Sequence, residues 1–191
     1  MYCEILAKLF WKLRITLCLS MYLISLTLFS SISWAVDIKG TPGPDNMKGT
    51  ATDDDITGHN GDDIIDGLQG SDEIQGQQGN DLLNGSEGND FLSGGTGFDT
   101  LDGGPGNDEL IGDDDRDNLF GGLDNDVLYG SLANDVLDGG PGDDRLYGGP
   151  GNDTLRGGPG GDYFRCGPGV DRIGTFNPAD GDYEFGDCEI K

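Results

Sequence analysis

The sequence predicts an all-β solenoid built from coils of 18 residues. Three observations predict it: a nine-residue period, glycine at the first position of each period and an apolar residue at the eighth. The period is clearest from Gly139 to Arg165, where three consecutive nine-residue repeats read GGPGDDRLY, GGPGNDTLR and GGPGGDYFR. We call each nine-residue repeat a line. A fixed period of this kind marks a small unit that buries its apolar face only by stacking on its neighbours.

The frame runs from Gly40 without an insertion or deletion. Glycine occupies the first position of fourteen consecutive lines, and the fifteenth line begins with Cys166. The eighth position is apolar throughout, from Met47 to Ile173. Because alternate residues of a strand point to opposite faces, this residue forms the core and positions seven and nine face outward. Each line is then a six-residue turn and a three-residue strand, and two lines complete one coil.

Aspartate occupies the sixth position of all fifteen lines, whereas the fifth position accepts Pro, Ser, Asn, Phe, Arg, Gly and Val. Lines i and i+2 lie about 4.8 Å apart, so these carboxylates form two columns. At an effective dielectric constant of about 20, neighbouring carboxylates repel by roughly 3.5 kcal/mol. Divalent cations between the coils would replace this repulsion by coordination. Turn geometry alone would also admit asparagine, so the invariance favours metal binding over a metal-free solenoid or a flexible linker.

Calcium is the ion that best matches these ligands. It takes six to eight oxygens from carboxylates and backbone carbonyls, and glycine turns expose carbonyls. Magnesium retains its water and zinc prefers nitrogen or sulfur. The sequence has a single histidine, His59, at a variable turn position, so it offers no nucleophile and base for catalysis.

The charge balance excludes a nucleic-acid partner. The chain has 11 basic and 36 acidic residues, and its formal net charge is -25. Phosphate binding requires clustered Lys and Arg, so cations are the expected partners. High net charge combined with low hydrophobicity is typical of chains that stay unfolded until the charge is neutralised.

Residues 1–35 resemble a signal peptide. Three basic residues precede an apolar run from Ile15 to Phe29, and Ser33 and Ala35 are small residues suited to signal peptidase. Cleavage is expected between Ala35 and Val36, which predicts export to the extracellular space or cell surface with no membrane span remaining. The alternative is an uncleaved anchor, although the run is shorter than the roughly twenty residues of a spanning helix.

The remaining chain divides into three parts. Residues 36–57 are expected to be an atypical N-terminal cap, residues 58–165 the repeat array and residues 166–191 a C-terminal cap. Asp115, Asp124 and Ala133 occupy the fourth position, where the other lines of the array have glycine. If that position needs a positive φ, the middle of the array is its weakest part.

The C-terminal cap contains Cys166 and Cys188, the only cysteines after the signal segment. In an oxidising compartment two such cysteines are expected to form a disulfide. Closing this loop would stabilise the end of the solenoid by roughly 3 kcal/mol. Two free thiols or a pair of metal ligands is the alternative.

The lines resemble the GGxGxDxUx repeat of the RTX, or hemolysin-type, calcium-binding family, in which U is a large apolar residue. The resemblance covers residues 40–174. It implies a right-handed parallel β-roll in which aspartates and turn carbonyls of lines i and i+2 hold calcium ions. The three central lines lack the fourth-position glycine. By position, the implied metal ligands are Asp63, Asp72, Asp81, Asp90, Asp99, Asp108, Asp117, Asp126, Asp135, Asp144, Asp153 and Asp162.

Two features depart from the family. Many members carry an uncleaved C-terminal secretion signal and a toxin, protease, lipase or epimerase domain, and neither is evident in this sequence. The predicted function is therefore a non-enzymatic extracellular module that binds multiple calcium ions, unfolded in low calcium and folded in high calcium. The alternative is an adhesive or cell-surface structural solenoid that reaches a surface glycan or cell-envelope partner through calcium bridges.

Overall fold

The computed structural model describes residues 35–185 and 188–190. In this part of the chain there are eighteen strands, paired in two parallel nine-stranded sheets, and no helix. It accordingly contains no helix of the length and apolarity needed to cross a membrane. The predicted signal peptide, apart from Ala35, lies outside the described residues.

Odd-numbered strands form the first sheet and even-numbered strands the second. The first sheet contains β1 (Asp37–Lys39), β3 (Asp55–Asn60), β5 (Glu73–Gln78), β7 (Phe91–Thr96), β9 (Glu109–Asp114), β11 (Val127–Tyr129), β13 (Arg145–Tyr147), β15 (Tyr163–Arg165) and β17 (Tyr183–Glu184). The second contains β2 (Asn46–Lys48), β4 (Ile64–Gln69), β6 (Leu82–Glu87), β8 (Thr100–Pro105), β10 (Asn118–Leu123), β12 (Val136–Asp138), β14 (Thr154–Arg156), β16 (Arg172–Thr175) and β18 (Glu189–Ile190).

The register confirms the predicted solenoid. Ile56 pairs with Ile74 and Leu110 with Leu128, so each residue lies beside the residue one 18-residue coil further on. The eighth-position side chains of all lines are buried and pack into one core between the sheets. One apolar residue per line is therefore sufficient, because stacking removes each of them from water.

Strand length departs from the predicted three residues in the first half of the solenoid. Strands β3 to β10 have six residues and continue through the first-position glycine into the turn, whereas β11 to β15 have three. Four of the later turns have proline at the third position, at Pro141, Pro150, Pro159 and Pro168. Proline at this position does not by itself end the paired segment, because β8 continues to Pro105, which pairs with Leu123. The turn after β11 has no proline, yet that strand also ends after three residues.

The fourth position does require a positive φ in the central lines. Asp115, Asp124 and Ala133 have φ values of 72°, 75° and 82°, in the left-handed region. Glycines at this position elsewhere, such as Gly79 and Gly88, have φ values of 141° and 150°. A side chain therefore changes the turn conformation, and alanine tolerates the left-handed region poorly.

Replacing Ala133 by glycine is expected to stabilise the protein by about 1 kcal/mol. The change removes roughly 1–2 kcal/mol of strain, because glycine adopts the left-handed region without a clash. Part of this gain is lost, because glycine has a larger conformational entropy in the unfolded state. Chemical denaturation in saturating calcium measures the difference. Unchanged or lower stability of the glycine variant would show that the central lines are not weakened by this residue.

A disulfide links the last coil to the C-terminal segment, as predicted. Cys166 is fully buried, and its sulfur is bonded to that of Cys188, with a Cα–Cα distance of 5.3 Å. Phe176 packs beside Phe164, a fully buried core residue, with ring centroids 6.1 Å apart. The Asp182 carboxylate accepts a hydrogen bond from the Asp162 amide at 3.1 Å, so the segment before β17 continues the stack. The last coil is thereby covered.

Candidate metal centre

The predicted ligands are buried carboxylates along the two turn edges of the solenoid. Each is at most 3% exposed, although it belongs to a turn. These residues are Asp63, Asp72, Asp81, Asp90, Asp99, Asp108, Asp117, Asp126, Asp135, Asp144, Asp153 and Asp162. Burial of an ionised carboxylate is costly unless a partner compensates it.

One oxygen of each carboxylate has a structural partner. The Asp99 amide donates to Asp117 Oδ1 at 2.8 Å, and the Asp117 amide donates to Asp135 Oδ1 at 2.9 Å. The same bond recurs between each sixth-position aspartate and the aspartate 18 residues later, from Asp45 to Asp171. Oδ1 therefore satisfies a turn amide of the preceding coil. This role alone would be served equally by the oxygen of an asparagine.

The second oxygen of each carboxylate has no such partner. Oδ2 is buried and accepts no hydrogen bond in any of the twelve predicted ligands. A buried acceptor left unsatisfied costs about 1–3 kcal/mol, and more when it is charged. Twelve repetitions of this cost indicate that a positively charged group belongs beside Oδ2.

The space beside Oδ2 has the dimensions of a cation site. A Cβ atom built on Gly112 would lie 2.5 Å from Asp117 Oδ2 and 2.8 Å from the carbonyl oxygen of Gly130. On Gly130 it would lie 2.6 Å from both Asp135 Oδ2 and the Gly148 carbonyl oxygen. Calcium–oxygen distances are 2.3–2.6 Å, so a point between these oxygens suits calcium. We call this space, between Oδ2 of one line and the first-position carbonyl two lines later, the cradle.

The donor set is mostly backbone. Within the described residues no three Asp, Glu, His or Cys side chains converge on one point. A cation in a cradle would therefore combine a carboxylate with turn carbonyl oxygens. Hard oxygen ligands of this kind fit calcium, and the absence of nitrogen and sulfur from the cradle disfavours zinc.

Electrostatics are least favourable for the metal-free carboxylates in the middle of the array. Burial raises the pKa of Asp117 and of Asp126 to about 8, with neighbouring carboxylates adding to the rise and the amide hydrogen bond opposing it. Towards the ends, burial raises the pKa of Asp72 and of Asp162 to about 6. A bound cation would oppose these shifts by stabilising the ionised form.

The sequence predicted the aspartates but not the reason for the first-position glycine. That residue leaves the cradle open and contributes its carbonyl to the cradle two lines earlier. Its presence in fourteen lines was the signal. At the fifteenth line Cys166 places a side chain at this position and uses it for the disulfide. At the last line the disulfide therefore occupies the position that glycine leaves open in the other fourteen lines.

The Gly112→Ala substitution is expected to fill one cradle. Its Cβ would crowd Asp117 Oδ2 and the Gly130 carbonyl, so we expect a loss of about 1–3 kcal/mol of stability in calcium and of one bound ion. Gly43→Ala is the control, because a Cβ there meets no atom within 4 Å. Denaturation and ion counting on both variants test this expectation. Equal stability and equal ion content would contradict the cradle.

Comparison with known families agrees with this geometry. The family model described as the RTX calcium-binding nonapeptide repeat (4 copies) matches residues 39–74, 67–101, 93–128, 102–137 and 129–164. A sequence comparison with curated proteins finds no match to the chain. The family matches span most of the chain and coincide with the stacked lines that carry the cradles. The chain therefore belongs to the RTX calcium-binding nonapeptide repeat family.

Proposed function

We propose that the protein is an exported calcium-binding module whose β-roll is held together by ions between successive coils. Each ion is held by Oδ2 of a sixth-position aspartate together with carbonyl oxygens of turn glycines. When bound, calcium supplies the positive charge that these buried carboxylates lack. The proposed carboxylate ligands are Asp63, Asp72, Asp81, Asp90, Asp99, Asp108, Asp117, Asp126, Asp135, Asp144, Asp153 and Asp162.

The buried Oδ2 atoms are the observation that carries this proposal. Asparagine at the sixth position would preserve the hydrogen bond to Oδ1 and could direct its amide towards the glycine carbonyl. A metal-free solenoid would therefore gain from asparagine in the twelve lines of the predicted ligands, yet all twelve have aspartate. In the first two lines Oδ2 of Asp45 and of Asp54 accepts the amide of Thr41 and of Thr50 instead. A cation beside Oδ2 makes aspartate the better residue in the twelve lines that lack such an amide.

Binding and folding are coupled in this proposal. The cradles join residues 18 positions apart, so they form only when the coils stack. A ligand that binds only the folded chain adds its binding free energy to stability. The formal charge of -25 opposes compaction in the absence of ions. The chain is thus expected to be unfolded in low calcium and folded in high calcium.

Export and the absence of catalysis complete the proposal. The signal-like segment at residues 1–35 supports an extracellular or cell-surface location. His59, the single histidine, lies on a turn with Nδ1 3.3 Å from Gln77 Oε1, in an exposed contact. No nucleophile is in hydrogen-bond contact with it in the described residues. Its surroundings support a surface role for this histidine rather than an active site.

Circular dichroism of residues 36–191, with the disulfide intact, tests the proposal. Calcium is titrated into the metal-free protein, and magnesium is titrated in parallel. We expect a cooperative gain of β-sheet signal with calcium and little change with magnesium. A full β-sheet spectrum in chelator that calcium does not alter would overturn the proposal.

A further inference from the structure

The outer face of the first sheet changes in charge along the solenoid. We define this face by the seventh- and ninth-position side chains of strands β7 to β15. Its N-terminal side carries Glu109, and its C-terminal side carries Arg145 and Arg165, all exposed. Between and beside these charges lie Phe91, Ile111, Val127, Tyr129, Tyr147 and Tyr163, each partly exposed. The face therefore has an aromatic and aliphatic centre with opposite charges on its two sides.

The aromatic residues of this face form an ordered row. The rings of Tyr129 and Tyr147 stack with centroids 4.8 Å apart and an interplanar angle of 13°. The Tyr163 ring follows, with its centroid 5.9 Å from that of Tyr147. Rigid aromatic side chains lose little entropy on association and are enriched at protein interfaces. This row is suited to contact with a flat partner.

Glu109 and Arg145 of this face form no ion pair with another described residue. Ion pairs in that part of the chain join Lys39 to Asp37, Lys48 to Asp66 and Arg156 to Asp138. Glu109 and Arg145 lie on strands β9 and β13, on opposite sides of Val127 on β11. Two strand spacings, or about 9.6 Å, separate their backbones, with the Val127 side chain between them.

We infer that this face pairs with the same face of a second copy of the chain. The two faces are related by a two-fold axis that lies between them and runs parallel to β11. This axis brings β11 against β11 of the second copy, and β9 against the second copy's β13. Glu109 then meets the second copy's Arg145, and Ile111 meets its Tyr147. One strand further out, Phe91 meets the second copy's Tyr163. Every contact occurs twice, as a two-fold interface requires.

Charge complementarity selects a second copy over other occupants. An anionic polymer would be attracted by Arg145 and Arg165 but repelled by Glu109. A second copy matches both sides of the face at once. The paired surface is small, because each strand contributes only two outward side chains. We therefore expect a reversible dimer at the low end of specific interfaces, with a dissociation constant of roughly 10 µM.

Calcium would control this pairing. About a dozen divalent ions would nearly cancel the formal charge of -25, and proteins near zero net charge associate more readily. In chelator the like charges of two chains oppose contact. This dependence on calcium rests on the proposed function, whereas the pairing geometry rests on the folded face.

Sedimentation velocity of residues 36–191 tests the inference. The oxidised protein is measured from about 1 to 500 µM, in calcium and in chelator, with a circular dichroism spectrum of each sample. Glu109→Arg and Arg145→Glu should each raise the dimer dissociation constant at least about tenfold, because each reversal creates two like-charge contacts. The double variant exchanges the charges and should return it to within about threefold of the original protein.

Arg172→Glu is the matched control. Arg172 also occupies the seventh position and is exposed, but it belongs to β16 of the second sheet, so its reversal should leave the dimer unchanged. A calcium-folded protein that stays monomeric at all concentrations overturns the pairing and leaves the calcium function intact. A dimer that the double variant does not restore also overturns it. A chain that calcium fails to fold overturns the calcium function and the calcium control together.

Discussion

Asp117→Asn is expected to stabilise the protein in chelator and to lose that advantage in calcium. The asparagine oxygen can keep the hydrogen bond from the Asp99 amide, while its NH₂ group replaces the buried Oδ2 beside the Gly130 carbonyl. In chelator the variant should be more stable than the original protein by about 1–3 kcal/mol, because a buried unsatisfied charge is removed. In calcium at about 100 times the dissociation constant the variant lacks the contribution of one ion, so its stability relative to the original protein should be about 2.7 kcal/mol lower than it is in chelator.

Asp115→Asn is the matched control for this experiment. It removes the same charge two residues away, but Asp115 is exposed and its side chain is not part of a cradle. Its effect on stability should stay within about 0.5 kcal/mol in both conditions. Urea denaturation in calcium, and folding driven by added sucrose in chelator, where the chain is expected to be unfolded, provide the four values. If Asp117→Asn destabilises the protein equally in both conditions, Asp117 has only a structural role.

The pH dependence of stability between about pH 5 and 8 is expected to disappear when calcium is added. In the metal-free protein, burial raises the carboxyl pKa above its unfolded value of 3.8, to about 6 for Asp81, about 7 for Asp144 and about 8 for Asp126. The folded state then holds more protons than the unfolded state between pH 4 and about 8. The free energy of unfolding therefore falls as the pH rises through this window.

Calcium is expected to remove this dependence, because the ions bind ionised carboxylates. In saturating calcium neither the folded nor the unfolded state takes up protons on these groups above about pH 5. The free energy of unfolding should therefore be flat there and should fall only towards about pH 4, where the unfolded carboxylates bind protons. Thermal unfolding in calcium, and folding driven by added sucrose in metal-stripped buffer, give the two slopes at several pH values. Equal slopes between about pH 5 and 8 would show that these carboxylates do not hold the ions.

The nine-residue period was sufficient to predict the coil, the core and the two aspartate columns. These features depend on spacing alone: an apolar residue recurring every nine positions has to face a shared interior. Leu128 and Leu137 lie in the core for this reason. The Cys166–Cys188 disulfide also followed from composition, because no other cysteine remains after the signal segment.

Conformation within the turns could not be predicted from spacing. Leu68 and Gln77, at the second position, have φ values of 83° and 79°, although neither residue favours the left-handed region. Stacking of backbone on backbone imposes this conformation on every line from Gly58 onward and overrides local preference. The different roles of Oδ1 and Oδ2 also could not be predicted from the sequence, because they depend on which coil each oxygen faces. The opposite charges of Glu109 and Arg145 share one sheet face because the odd-numbered strands form one sheet, which the nine-residue spacing alone does not show.

The number of calcium ions bound per folded chain tests the central claim most directly. Equilibrium dialysis of residues 36–191 against calcium, with elemental analysis and a circular dichroism spectrum of the same sample, gives stoichiometry and fold together. The twelve cradles predict about a dozen ions, acquired together with the β-sheet signal. A fully folded protein that binds no ion, or only one or two, would contradict the assignment of the buried aspartates as calcium ligands.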